Sequence, residues 1–181
     1  LRWYFMSSSI VRGGDSRISD QSIDDVVRQV INPIWSAYSF FTLYANIDDY
    51  QATFISDPSN TLDKYILAKT HQLVTNVTDH MEKYDLPGAT NEIRGFIDAL
   101  NNWYIRRSRD RFWSPAKPVH DNDKQDAYDT LFTVPHTLCK LSAPFLPMVS
   151  EEIFKGLTRE FSVHEAEWQL PQEFPSDSDL V

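Results

Sequence analysis

Apolar residues recur at helical spacing through most of this chain. Val26, Val27, Val30 and Ile31 open the first run, and Pro33 falls inside it. This spacing predicts a helix over about 22–46, capped by Ser22 with Asp25 and kinked where proline removes a backbone donor. Its aromatic region, Trp35, Tyr38, Phe41, Leu43 and Tyr44, is expected to pack as core. Asp48 to Asn60 is polar, contains Pro58, and predicts a loop. Ile66, Leu73, Val77, Met81 and Tyr84 predict a second helix over about 62–84, ended at Asp85-Leu86-Pro87-Gly88. Ile93, Ile97, Leu100 and Tyr104 mark the buried face of a third helix starting near Ala89. Ser114 to Asn122, with two prolines, predicts a loop. Leu131, Val134, Leu138 and Leu141 predict a fourth helix over about 123–142, running through Pro135. Ile153, Phe154 and Leu157 predict a short fifth helix ending near Thr158.

The two ends break this periodicity. Leu1 to Met6 is aromatic and strand-like, and Ser7-Ser8-Ser9 and Gly13-Gly14-Asp15 are loop chemistry. Residues 1–21 are therefore expected to form a non-helical connector whose packing partner lies upstream, in a longer protein of which this chain is a piece. Ser162 to Trp168 is expected to be a strand or extended. Residues 171–181 hold proline, serine and acids with little to bury, and are expected to be flexible. Long helices joined by short loops make the fold class all-α, an antiparallel helical bundle over residues 22–170.

Charge changes the picture at one place. The 181 residues carry a formal net charge of −9, which argues against a general nucleic-acid coat, since such proteins are usually basic overall. Yet Asn101 to Trp113 reads NNWYIRRSRDRFW, with four arginines and several large aromatics in thirteen residues. Guanidinium groups bind phosphates bidentately and indoles stack on bases. On a wheel of about 100° per residue, Asn102, Arg106, Arg109 and Trp113 fall opposite the buried face, within about 60° of one another. Such a stripe suits an unpaired RNA loop: asparagine reads base edges, arginine takes phosphates, tryptophan stacks. Arg107 and Arg111 fall on the core side. They either find carboxylate partners, because a buried unpaired charge is costly, or project past the bundle toward RNA or another domain. Asp110 is placed to pair with Arg106. From these residues alone, RNA contact and solvated structural charge both stay open.

Other chemistry is missing from the sequence. It contains no GxxxxGK[ST] or GxGxxG loop, and the five histidines show no HExxH or ExxH spacing. Cys139 near His136 lacks an orienting third group and is expected to be a small buried hydrophobe. Glu151-Glu152 is expected to complement a helix N-terminus. One cysteine allows no intrachain disulfide, and no apolar run approaches the roughly 20 residues of a membrane span. Catalytic and metal-ligating residues are expected to be absent.

Five segments in order resemble one family. Leu1-Arg2-Trp3-Tyr4-Phe5-Met6-Ser7-Ser8 resembles the stretch after the KMSKS loop of class I aminoacyl-tRNA synthetases. Asn32 to Phe41, NPIWSAYSFF, resembles the first helix of their anticodon-binding domain. Asn101 to Trp113 is similar to the third-helix signature of isoleucyl-tRNA synthetases. Ser142-Ala143-Pro144-Phe145-Leu146-Pro147 with Ser150-Glu151-Glu152-Ile153 resembles their APFLP…EEI segment. Ser162-Val163-His164 to Trp168-Gln169-Leu170-Pro171 resembles the closing S(V/I)H…W-P motif. Together these cover about residues 1–171.

The resemblance implies an anticodon-binding domain that recognises isoleucine tRNA through its anticodon stem-loop. The parent would be a monomeric cytoplasmic enzyme that attaches isoleucine to tRNA using ATP and magnesium. The HIGH and KMSKS motifs of that chemistry are missing here, so the chain alone is expected to be inactive, without cofactor, and docked on the parent's remaining domains. Anticodon contacts from the first helix would map to Asn32 and Ser36, where Ser36 departs from the usual asparagine. Ser9 replaces a common proline and Phe154 a usual tryptophan. A helical protein-interaction module, or the same domain of a valyl- or leucyl-tRNA synthetase, is the alternative.

Overall fold

A computed structural model describes residues 1–114 and 122–176. Eight α-helices and two π turns build the bundle: α1 (Arg2–Ser7), α2 (Asp20–Val26), α3 (Asn32–Ile47), α4 (Thr61–Glu82), α5 (Leu86–Asp98), α6 (Arg106–Trp113), α7 (Asn122–Ser142) and α8 (Pro147–Thr158). A π turn over Val27–Ile31 fuses α2 to α3, and another over Ala99–Ile105 fuses α5 to α6. The described residues contain no strand, so the all-α expectation holds.

The core is largely the one the periodicity marks. Ile66, Val77, Ile93, Ile97, Leu100, Tyr104, Leu131, Val134 and Leu141 are all essentially inaccessible. Helical geometry spends only one face of α3 on it. Ile34, Ala37, Phe41 and Ala45 point inward, while Trp35 and Leu43 remain 46% and 55% exposed. The aromatic cluster is thus split between core and surface. Tyr84, expected inside, is 90% exposed, because α4 ends at Glu82 and Tyr84 turns the chain with φ 56°.

Caps place the helix starts. Ser19, not Ser22, caps α2; Ser22 completes a capping box three residues on. Asp85 caps α5 by accepting from Gly88 N, so α5 begins at Leu86, and Pro87 sits in the first turn where its missing N–H costs nothing. The polar loop before α4 is held by acids spaced three apart on α7. Asp123, Asp126 and Asp129 accept from Asn60 Nδ2, Ser59 N and Thr53 N at 2.7, 2.9 and 2.8 Å.

Both ends differ from expectation. Residues 2–7 are helical, and Trp3 is buried against Phe145 of the bundle itself, ring centroids 6.0 Å apart. Trp3 thus finds a packing partner within the chain, while Leu1 and Phe5 of the same segment stay exposed. Residues 163–166 form turns and bends, with no strand over 162–168; Glu151 accepts from Ser162 Oγ and Val163 N at 3.0 and 2.8 Å, which fastens them to α8 rather than capping its N-terminus. At the other end Phe174 is buried against Phe54, and its carbonyl meets His71 Nδ1 at 3.2 Å. The expected flexible tail is therefore anchored as far as Phe174; residues 177–181 lie outside the described residues, as does most of the expected 114–122 loop.

Candidate nucleic-acid interface

The π turn over Ala99–Ile105 decides how the arginine segment faces. A π turn adds a residue to the helical repeat and shifts the phase of the helix beyond it. Asn101 Nδ2 donates to Ile97 O at 3.0 Å across this turn. Within and past the turn the buried positions are Tyr104, Ile105, Ser108 and Phe112; on a wheel of about 100° per residue Ser108 and Phe112 step about 40° and 80° away from Tyr104, off the centre of the face that Ile93, Ile97 and Leu100 mark. Ser108 and Phe112 were consequently not legible as core. The same shift turns Arg107 outward, where its guanidinium lies 4.8 Å from the Trp103 ring centroid. Trp103 in turn packs on Tyr65 at 4.1 Å.

Asn102, Arg106, Arg109 and Trp113 are all exposed, as the wheel places them. Among the described residues, neither Arg106, Arg107 nor Arg109 has an ion-pair partner, so the expected Arg106–Asp110 bridge is not formed. Trp113 is 56% exposed, and its Nε1 donates to Tyr44 Oη at 2.7 Å. That bond holds the indole edge-on to α3 while leaving ring surface open.

Arg111 does not belong to this surface. Its Nη1 and Nη2 donate to the two Asp63 oxygens at 2.7 and 2.6 Å, and Nε donates to Asp123 at 2.9 Å. Nη2 also reaches the Asp123 carbonyl, and the side chain is only 11% exposed. Four of its five N–H donors go to Asp63 and Asp123, so Arg111 takes the carboxylate-paired alternative rather than the RNA contact. Burial alone would lower its pKa, but hydrogen bonding and charge from Asp63 outweigh burial and raise it. Tyr104 donates to the same Asp63 at 2.6 Å; burial first, then the Asp63 charge, lifts its pKa well above the ordinary phenol value.

Asn32 and Ser36, both exposed on α3, meet Asn102 in one groove of about 710 Å³ between the two π-containing helices. Arg28 and Gln29 of the first π turn and Arg94 of α5 line it as well. Asp98 holds Asn102 by accepting from Nδ2 at 2.6 Å, leaving its Oδ1 for another donor. Two π turns on one groove fit the frequent placement of such turns at functional sites. The α3 and α5–α6 helices run in the same direction along it: Asn32 and Ser36 lie across from Asn102, Phe40 meets Phe112 at 5.1 Å, and Tyr44, one turn further along α3, meets Trp113. The groove thus continues along the helix into the ridge of Arg106, Arg109 and Trp113. Sequence reasoning missed Arg28, Arg94 and the groove itself, because a groove between helices has no local pattern.

Elsewhere, Cys139 is 1% exposed, and burial raises its thiol pKa. The described residues contain no cluster of three metal-ligating side chains, and none of their helices is long and apolar enough to cross a membrane.

Comparison with known proteins shows the family. The model of the anticodon-binding domain of tRNA ligase matches residues 63–180. Over its whole length the chain is 46% identical to the isoleucine–tRNA ligase of Tropheryma whipplei (strain Twist) and 46% identical to that of Mycobacterium tuberculosis (strain ATCC 25618 / H37Rv). The corresponding protein of Leifsonia xyli subsp. xyli is 42% identical. The chain spans 17%, 16% and 16% of the lengths of these relatives. With that family model covering more than half of it, the chain belongs to the anticodon-binding domains of tRNA ligases.

Proposed function

We propose that this chain is the anticodon-recognition module of an isoleucine–tRNA ligase, and that it grips the anticodon stem-loop of isoleucine tRNA. The observation that carries this reading is the meeting of Asn32, Ser36 and Asn102 in one groove that leads into the exposed Arg106, Arg109 and Trp113. Similarity to isoleucine–tRNA ligases over the whole of this chain, which spans 16–17% of their length, supports the choice of amino acid.

In this reading the unstacked loop bases enter the groove. Asn102, pinned by Asp98, and Asn32 read their edges, with Ser36 as a further hydroxyl partner. Arg106 and Arg109 take phosphates, and Trp113 stacks on a splayed base. The parent enzyme would join isoleucine to tRNA, with ATP and magnesium serving a catalytic region outside this chain, as a monomer in the cytoplasm. An independent reading of the tRNA end matters there, because one methylene in an apolar pocket separates isoleucine from valine only about 10–200-fold.

The deciding experiment titrates matched and mismatched anticodon stem-loops against the chain at two salt concentrations. Tighter binding of the matched loop, weakening with salt, supports the reading. Equal affinity for all loops, or none, removes it.

A further inference from the structure

The five glycines of the chain include four that the fold itself explains. Gly13 has φ +79°, a backbone conformation that side chains rarely adopt. A Cβ on Gly14 would crowd Ser9, on Gly88 it would strike the His80 ring and the Asp85 carboxylate, and on Gly156 the Tyr38 hydroxyl. Gly95 has no such reason. It lies inside α5, its φ is not positive, and a Cβ there would meet nothing within 4 Å among the described residues. Glycine is the poorest helix former after proline, so a mid-helix glycine without a packing role weakens the helix for no internal benefit.

Its position supplies the missing reason. Gly95 and Asn91 line the 710 Å³ groove on one side of α5, and also a hollow of about 230 Å³ on the other side, toward α4. The bare backbone at Gly95 is therefore a low saddle joining the two. On the groove side stands Arg94, exposed and without an ion-pair partner among the described residues; the far hollow holds Lys69. Glycine in such a place lets another backbone approach closely.

We infer that Gly95 is a contact site for the RNA: a single-stranded segment of the bound anticodon stem-loop crosses α5 at this saddle. Its sugar-phosphate chain lies on the bare helix, and Arg94 and Lys69 take phosphates on either side. This inference rests on the proposed RNA-binding function and assigns Gly95, Arg94 and Lys69 to it.

The test uses Gly95→Ala, Gly95→Gln and Arg94→Gln in the whole chain, with thermal melting and titration of the isoleucine anticodon stem-loop. Both Gly95 substitutions should raise Tm, since better helix formers enter open space. Gly95→Gln should weaken binding at least about tenfold, the loss of one good contact, by filling the saddle. Arg94→Gln should weaken binding and flatten the log–log salt slope by about 0.7. If Gly95→Ala lowers Tm, the glycine serves the fold and the inference falls. Unchanged affinity in Gly95→Gln, with the unaltered chain still binding, overturns the saddle contact and leaves the function standing. Absence of binding by the unaltered chain overturns both.

Discussion

Arg111 closes both oxygens of Asp63, with Nη1 and Nη2 at 2.7 and 2.6 Å, and Asp63 is fully buried. This pair, shared with Tyr104 and Asp123, bolts α6 to α4 and to the start of α7. Arg111→Ala leaves a buried carboxylate with one partner fewer, and should cost about 3–5 kcal/mol in a urea melt. Arg111→Lys should recover only part of that, because an ammonium cannot span two carboxylates as a planar fork does. RNA affinity of the folded variant should stay near that of the unaltered chain. A selective loss of affinity with normal stability would return Arg111 to the RNA surface.

Trp113 is expected to behave in the opposite way. Its ring is more than half exposed and, among the described residues, hydrogen-bonded at Nε1 to Tyr44. Trp113→Ala should leave helix content unchanged in circular dichroism and weaken stem-loop binding by about 1–3 kcal/mol, the contribution of one stacked base. Tyr44→Phe removes the hydroxyl that orients the indole, and should produce a smaller loss of the same kind. A fall in helix content would instead make Trp113 part of the core.

Arg106 and Arg109 stand free of carboxylates among the described residues. Replacing both by alanine should weaken binding to matched and mismatched loops alike, since phosphate contacts carry no sequence information. Every phosphate no longer neutralised should also flatten the salt slope by about 0.7 on single-stranded RNA. Asn102→Ala should lower discrimination between loops with little change in slope. Fluorescence titrations at several salt concentrations separate the two behaviours.

His136 gives the bundle a pH dependence. It is stacked between Phe132 and Phe154, at 5.9 and 5.3 Å, and burial, with the nearby Lys140 charge, pushes its pKa down to about 4 from 6.5. The unfolded chain therefore takes up this proton near pH 6.5, whereas the native bundle resists it until about pH 4. The stabilisation is complete above pH 6.5, falls as pH drops through that window, and amounts to about 3 kcal/mol at its full extent. Urea melts at pH 7 and pH 4.5 should show this loss. His136→Phe should remove its share of the slope.

Periodicity alone places the helices after α1 and most of the core. A residue's place in a helix depends on neighbours three and four positions away, so Ile93, Ile97, Leu100 and Tyr104 could be assigned to one face, and Asn102, Arg106, Arg109 and Trp113 to the other, before any contact was known. Packing settles what periodicity leaves open. The π turn over Ala99–Ile105 moved Phe112 inward and Arg107 outward by inserting one residue into the helical repeat, a choice made by packing against α3 and α4. The same holds for Arg111, whose role depends on Asp63, forty-eight positions earlier in the chain. It holds too for Trp3, which packs on Phe145, and for Phe174, which closed onto Phe54. Local spacing states which face of a helix is apolar; which acid, ring or groove stands opposite that face depends on residues far away in the chain, and only the folded packing brings them together.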